Sequence, residues 1–333
     1  MIVPPFLTLE QPVDYLYERE YFSRGTISED HKQRLAHLNF HYFLGYARNY
    51  RALVGRGTIE RSLKAPDDVL RVVDYDMRVS TALHSALRAA ERRLRASAVR
   101  HYCQKFDPAA SFLSPRQFRE TEPGSANLIV QNVLMYIFRH DEPYVKDRLR
   151  EIAEVRGVAV PKSYEKASHE LCVELASVLP LWAVIDSFSL GLLGHFIMCC
   201  DTDREDPVWR EVANDLGISA RVFETQIKSL AYLRNLVAHH ARLWRRPTVD
   251  SPRAPKIFKA RLRDTDNKSM YWAFLNLATF LPSDIRMKFA DELDALVKED
   301  DLYHYGVTRV GGLDAFRGAA SRLIACLRNV PAS

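Results

Sequence analysis

The 333-residue chain has no apolar run of 18 residues or more, which excludes a membrane-spanning helix of ordinary length. Its opening, Met1-Ile-Val-Pro-Pro-Phe6, lacks the basic segment and apolar stretch of a secretion signal. The five cysteines, Cys103, Cys172, Cys199, Cys200 and Cys326, show no Cys-x-x-Cys spacing. That argues against a zinc site and a disulfide framework, and points to buried thiols in a reducing cytoplasm. There is no Gly-rich phosphate loop, no His-Glu-x-x-His and no Gly-x-Ser-x-Gly, and neither a metal nor a cofactor is expected. No stretch alternates with period two and no internal repeat is present. The expected fold class is all-α.

A hydrophobic fraction of 47% supplies a substantial core. The net charge of +5 is modest but unevenly placed. Nine Lys and Arg residues fall between Arg234 and Arg263 against one acid, Asp250, leaving 38 basic and 41 acidic residues elsewhere. A local positive field of this kind suits a polyanion, with RNA or DNA the first candidate and a plain solvated surface the alternative.

Residues 1–65 read as a helical accessory segment. Thr8 and Gln11 form a capping-box pattern for a short helix to about Tyr21. Ser28 caps a second helix, expected to run through Leu35 and Leu38 into the aromatic cluster Phe40–Tyr46, which is either packing surface or a platform for stacking bases. Residues 66–250 form the expected main helical domain. Pro66-Asp67-Asp68 starts a long helix whose core stripe is Val69, Val73, Met77, Leu83, Leu87, Ala90 and Leu94. Glu91 lies on that apolar arc and needs a partner, either Arg95 one turn on or an arginine of another helix. Arg88, Arg92, Arg93 and Arg100 are expected to project outward. Residues 104–125, with three prolines and a Gly-Ser pair, read as a mobile loop or insertion. His195, in the most apolar stretch, reads as a core residue. Ser219 caps a helix expected to run from 220 to 246, and residues 251–333 form a C-terminal helical extension with a final helix around 313–328.

The stretch Ala231–Trp244 carries the chemistry. On a wheel of about 100° per residue, Arg234, Ala238, Arg242, Asn235 and His239 share one arc. Leu236, Val237, His240, Ala241, Leu243 and Trp244 fill the other, which reads His240 as packing. The polar arc suits phosphate chemistry. A guanidinium binds phosphate in a fork and stays charged, and an imidazole moves protons at neutral pH. Arg234 is therefore expected to hold the phosphate and His239 to act as acid or base. Asn235, four residues before His239, orients the imidazole or binds a phosphate oxygen. One helix offers one well-placed histidine, so two copies facing each other across a two-fold axis are expected to form a composite site.

The segment Arg234-Asn-Leu-Val-Ala-His-His-Ala-Arg-Leu-Trp244 resembles the signature of the bacterial abortive-infection Abi-like proteins, Arg-Asn-x-x-Ala-His-His-x-Arg-Leu-Trp-Asn. Pro5–Gln11, Phe40–Tyr46, Tyr75–Arg78, Glu91–Arg95 and Leu179–Gly191 are similar to other segments of that family, in the same order. Arg245 departs from the family's Asn, and Leu44 interrupts its N-terminal pattern. The resemblance implies a helical bundle of the HEPN superfamily with N- and C-terminal extensions. It further implies a homodimer and metal-independent endoribonuclease activity in phage defence or toxin–antitoxin settings. Carried onto this chain, Arg234, Asn235 and His239 are the catalytic set, with Glu91 and Arg242 in support. Arg95, Arg245 and Arg246 are the expected RNA contacts. RNA is the expected substrate, and a small structured RNA a possible restraint. A non-catalytic RNA-binding module is the alternative, and a helical scaffold for other proteins a third.

Overall fold

Pro66 takes the first position of a 40-residue helix, where its missing N–H costs nothing, and Asp67 and Asp68 follow at the positive end of the helix dipole. Such a helix is about 60 Å long. The computed structural model describes residues 10–59, 61, 66–200 and 205–310. These hold α1 (Glu10–Glu18), α2 (Glu29–Ala36), α3 (Phe40–Gly55), the long α4 (Pro66–Lys105), α5 (Ser125–Arg139), α6 (Pro143–Arg156) and α7 (His169–Ala176). They continue with α8 (Leu181–Val184), α9 (Leu190–Cys199), α10 (Val208–Leu216), α11 (Ala220–Ala238), α12 (Met270–Thr279), α13 (Ser283–Lys298) and α14 (Asp301–Thr308). No strand occurs among the described residues, and the chain is all-α. None of these helices is long and apolar enough to cross a membrane. Thr8, the Pro5–Gln11 segment up to Leu9, Cys326 and the helix expected at 313–328 lie outside the described residues.

Most of the bundle is built on α4, with α5, α6 and α7 packed beyond it on α8, α9 and one another. α3, α9, α10, α11, α12, α13 and α14 all pack against α4. The extensions at either end of the chain thus share one hydrophobic core with the middle. Val69, Val73, Leu83, Leu87, Ala90 and Leu94 face that core as the periodicity requires. Met77 does not: it is 48% exposed, while its neighbour Asp76 is 2% exposed. The buried face of α4 passes through 76 because three tyrosine- and amide-bearing elements converge there.

Three further expectations change. Ser28 caps α2, but the helix stops at Ala36, and Asn39 caps α3 afresh by accepting the N–H groups of His41 and Tyr42. The segment between α4 and α5 is anchored rather than loose. Phe112, Leu113 and Phe118 are buried in it, and Phe118 pairs with Cys200 and Ala109 with Pro180. His195 is exposed, since α9 turns that edge away from the core.

Candidate functional site

The apolar pattern of α11 holds Phe223, Ile227, Leu230, Leu233, Leu236 and Val237 against the core, leaving the last two turns to present Arg234, Asn235 and Ala238 outward. The helix ends at Ala238, eight residues short of the expected Arg246. His240 N–H donates to the Val237 carbonyl at 3.2 Å and Ala241 N–H to the Leu236 carbonyl at 2.8 Å. This is the Schellman termination, in which one residue turns left-handed after the cap. That residue is usually glycine; here it is His240, at φ +50°. His240 is consequently exposed, not packed, and the wheel that placed 239–244 on one helix does not apply to them.

The chain then dives. Leu243 and Trp244 are buried, and both of their N–H groups donate to Asp76, at 2.8 and 3.1 Å. The Tyr46 and Tyr303 hydroxyls donate to the same carboxylate at 2.5 and 2.8 Å. Burial pushes the Asp76 carboxyl up, and the bonds from Tyr46, Leu243 and Tyr303 together with the Arg242 charge pull it back. Burial, reinforced by the Asp76 charge, raises both hydroxyls well above the ordinary tyrosine range, so they remain donors. The Trp244 indole stacks on Tyr46, donates to the Leu302 carbonyl at 3.0 Å, and lies against Gly306, where an added Cβ would overlap it. Asp76 was missed in the sequence. Its signal was the one that singled out Glu91: a carboxylate one heptad from Val69 and from Leu83.

Glu91 bridges both of its candidate partners. One carboxylate oxygen meets the Arg95 guanidinium at 2.5 Å and the other lies 3.5 Å from Arg234 Nε. Arg234 is thereby fixed beside α4 while its Nη1 donates to Asn235 Oδ1 at 3.2 Å. His239, the cap residue, is exposed beside them.

The structure separates the expected RNA contacts Arg95, Arg245 and Arg246, and the expected supporting residue Arg242, from this cluster. Arg95 is 8% exposed and donates to the Ile185 and Phe188 carbonyls, so it is a core clamp, not a surface contact. Arg242 donates to the Gly45 carbonyl at 3.0 Å and covers the Tyr46 ring; burial lowers its pKa. Arg245 donates to the Arg309 carbonyl, and Arg246 to the Tyr232 hydroxyl. Arg242, Arg245 and Arg246 hold the turn in place, while Arg95 clamps the segment from Ile185 to Phe188. Exposed charge downstream remains at Arg253, Lys256, Lys259 and Arg263.

Two adjoining cavities of about 480 and 340 Å³ run between α4 and the end of α11, sharing His84, Arg88 and Val237. One is closed by His240 and Arg92, the other by Glu91 and Arg234. A helix C-terminus carries partial negative charge and disfavours an anion. Arg88, Arg92 and Arg234 outnumber Glu91, the carboxylate that lines the groove, so its walls carry a net positive charge. Among the described residues no group of three His, Cys, Asp or Glu side chains is placed to hold a metal ion.

Comparison with known proteins agrees with the motif. The profile of the Abi-like protein family matches residues 33–245, a span from α2 to the buried turn after α11 that contains Asp76, Glu91, Arg234 and both histidines. No curated protein and no solved structure gives a significant match. The matched span covers well over half of the chain, and the chain belongs to the Abi-like protein family.

Proposed function

We propose that this protein is a metal-independent endoribonuclease of the abortive-infection type, acting on RNA at the end of α11. The observation that carries the reading is the Glu91–Arg234–Asn235 arrangement: a guanidinium held by a carboxylate on the neighbouring helix, at the mouth of a groove, with His239 exposed at the cap. A carboxylate held by two arginines leaves the local charge positive, as phosphate binding requires.

In this reading the RNA 2′-hydroxyl attacks the adjacent phosphorus. The O2′–P bond forms and the P–O5′ bond breaks, leaving a 2′,3′-cyclic phosphate and a 5′-hydroxyl. Arg234 holds the non-bridging oxygens as charge builds on them, and His239 transfers a proton. Asn235 positions the phosphate or the imidazole. Two copies of the chain pair through the exposed ends of α11, bringing two arginines and two His239 side chains to one cleft. The exposed Arg253, Lys256, Lys259 and Arg263 extend the track for the RNA chain. The protein works in the cytoplasm during phage infection.

Labelled RNA incubated with the protein in EDTA tests the reading, with Arg234→Ala and His239→Ala beside the wild type. Cutting by the wild type and loss in both variants is expected. RNA that is bound yet left intact would make the protein a non-catalytic binding module.

A further inference from the structure

Arginines crowd α4 at 88, 92, 93, 95 and 100, yet the structure uses them differently. Arg93 donates to the carbonyls of Asp215, Phe280 and Leu281, closing the ends of α10 and α12. Arg95 is the buried clamp, and Arg100 pairs with Asp215. Arg88 and Arg92 are exposed, and among the described residues their side chains take no hydrogen bond and no ion pair. Both line the groove beside α11. His84, one turn before Arg88, is exposed and equally unengaged, and it lines both halves of that groove. Facing it is His240, held at φ +50° by a turn whose next residues are tied to Asp76. A non-glycine residue in this conformation persists where its surroundings over-determine it, and such positions gather at functional sites.

We infer that His84 is the second proton-transfer group of the RNA-cleaving site, acting across the groove from the α11 end, with Arg88, Arg92 and His240 holding the RNA backbone between the two walls. This rests on the ribonuclease reading and deepens it. Cleavage needs a base to take the 2′-hydroxyl proton and an acid to protonate the departing O5′, roles that a neutral imidazole and an imidazolium can fill. His84 brings an imidazole to the wall of the groove that Arg234 also lines, so each half of the paired cleft carries its own second proton-transfer group. The charged groups facing His84 are Arg88 and Arg92 on its own helix, Glu91 one turn further, and Arg234 and His240 from α11 and its cap.

The test is single-turnover RNA cleavage by the full chain in EDTA across pH 5–9, comparing wild type with His84→Gln, Arg88→Ala, His240→Gly and Arg234→Ala. Glutamine can hydrogen-bond a substrate as an imidazole does but moves no proton. A bell-shaped wild-type profile is expected, with His84→Gln slower by about 10²–10⁴-fold and one limb of the bell lost. Arg88→Ala should weaken binding of an uncleavable 2′-deoxy oligonucleotide and lower the salt dependence of binding by about one phosphate contact. His84 and Arg88 are solvent-exposed, so thermal melts of both variants should match the wild type. If Arg234→Ala is dead while His84→Gln cuts within a few-fold of wild type with both limbs intact, the His84 role is overturned and the ribonuclease reading stands. If the wild type cuts nothing at any pH, the ribonuclease reading fails and the His84 role fails with it.

Discussion

Asp76 sits on α4 and Trp244 on the turn after α11, 168 residues apart, and the Trp244 N–H donates to the Asp76 carboxylate at 3.1 Å. With Leu243, Tyr46 and Tyr303 as further donors, this one side chain fastens α3, α14 and the turn that follows His240 to the central helix. Removing it leaves three buried donors, the Leu243 and Trp244 N–H groups and the Tyr303 hydroxyl, without an acceptor, while Tyr46 keeps the Tyr42 hydroxyl at 2.7 Å. Asp76→Ala should cost about 3 kcal/mol or more, read as a fall in the denaturation midpoint. Asp76→Asn keeps one acceptor oxygen and should cost less. RNA cleavage should fall in both, because the histidine turn is no longer held.

Gly306 admits the Trp244 indole where any Cβ would collide with it. Gly306→Ala should destabilise by about 1–3 kcal/mol, the usual cost of overfilling a packed core. Combining it with Trp244→Leu should give a loss smaller than the sum of the two, a coupling that a double-mutant cycle detects.

These two contacts explain which parts of the site were legible in the sequence. The helical fold, the start of α4 at Pro66, its stripe from Leu83 to Leu94 and the need of Glu91 for a partner follow from local pattern. The end of α11 does not. Residues 239–246 keep a helical period, contain no glycine, and meet no proline until Pro247. What ends the helix is a histidine in the position glycine usually takes, stabilised by Asp76 and Gly306 far away in the chain. For the same reason Arg95 and Arg242 looked like surface charges, although the carbonyls of Ile185, Phe188 and Gly45 claim them.

His240 pays a conformational cost that glycine would not. His240→Gly should raise stability by up to about 1 kcal/mol, measured by urea denaturation, while lowering RNA cleavage. A gain in stability with activity unchanged would make His240 a turn residue alone.

Asp215 joins α10 to α4. Its carboxyl lies below the ordinary carboxylate range, chiefly through the hydrogen bond from Ser97 Oγ at 2.6 Å, with Arg100, His101 and Arg93 adding to the effect. A carboxyl more acidic when folded contributes stability that is full above the unfolded pKa near 3.9 and is lost as pH falls through the folded value. Asp215→Asn should therefore be less stable than wild type at pH 7, and the two should converge in strong acid. Parallel stability curves over pH 2–7 would contradict this.

In the proposed reaction Arg234 and His239, at the end of α11, cut RNA without a metal. Its most direct measurement is end analysis of RNA incubated with the protein in EDTA. Fragments ending in a 2′,3′-cyclic phosphate and beginning with a 5′-hydroxyl, formed by the wild type and absent with Arg234→Ala and His239→Ala, are the predicted result. Intact RNA, or the same fragments from all three proteins, would contradict it.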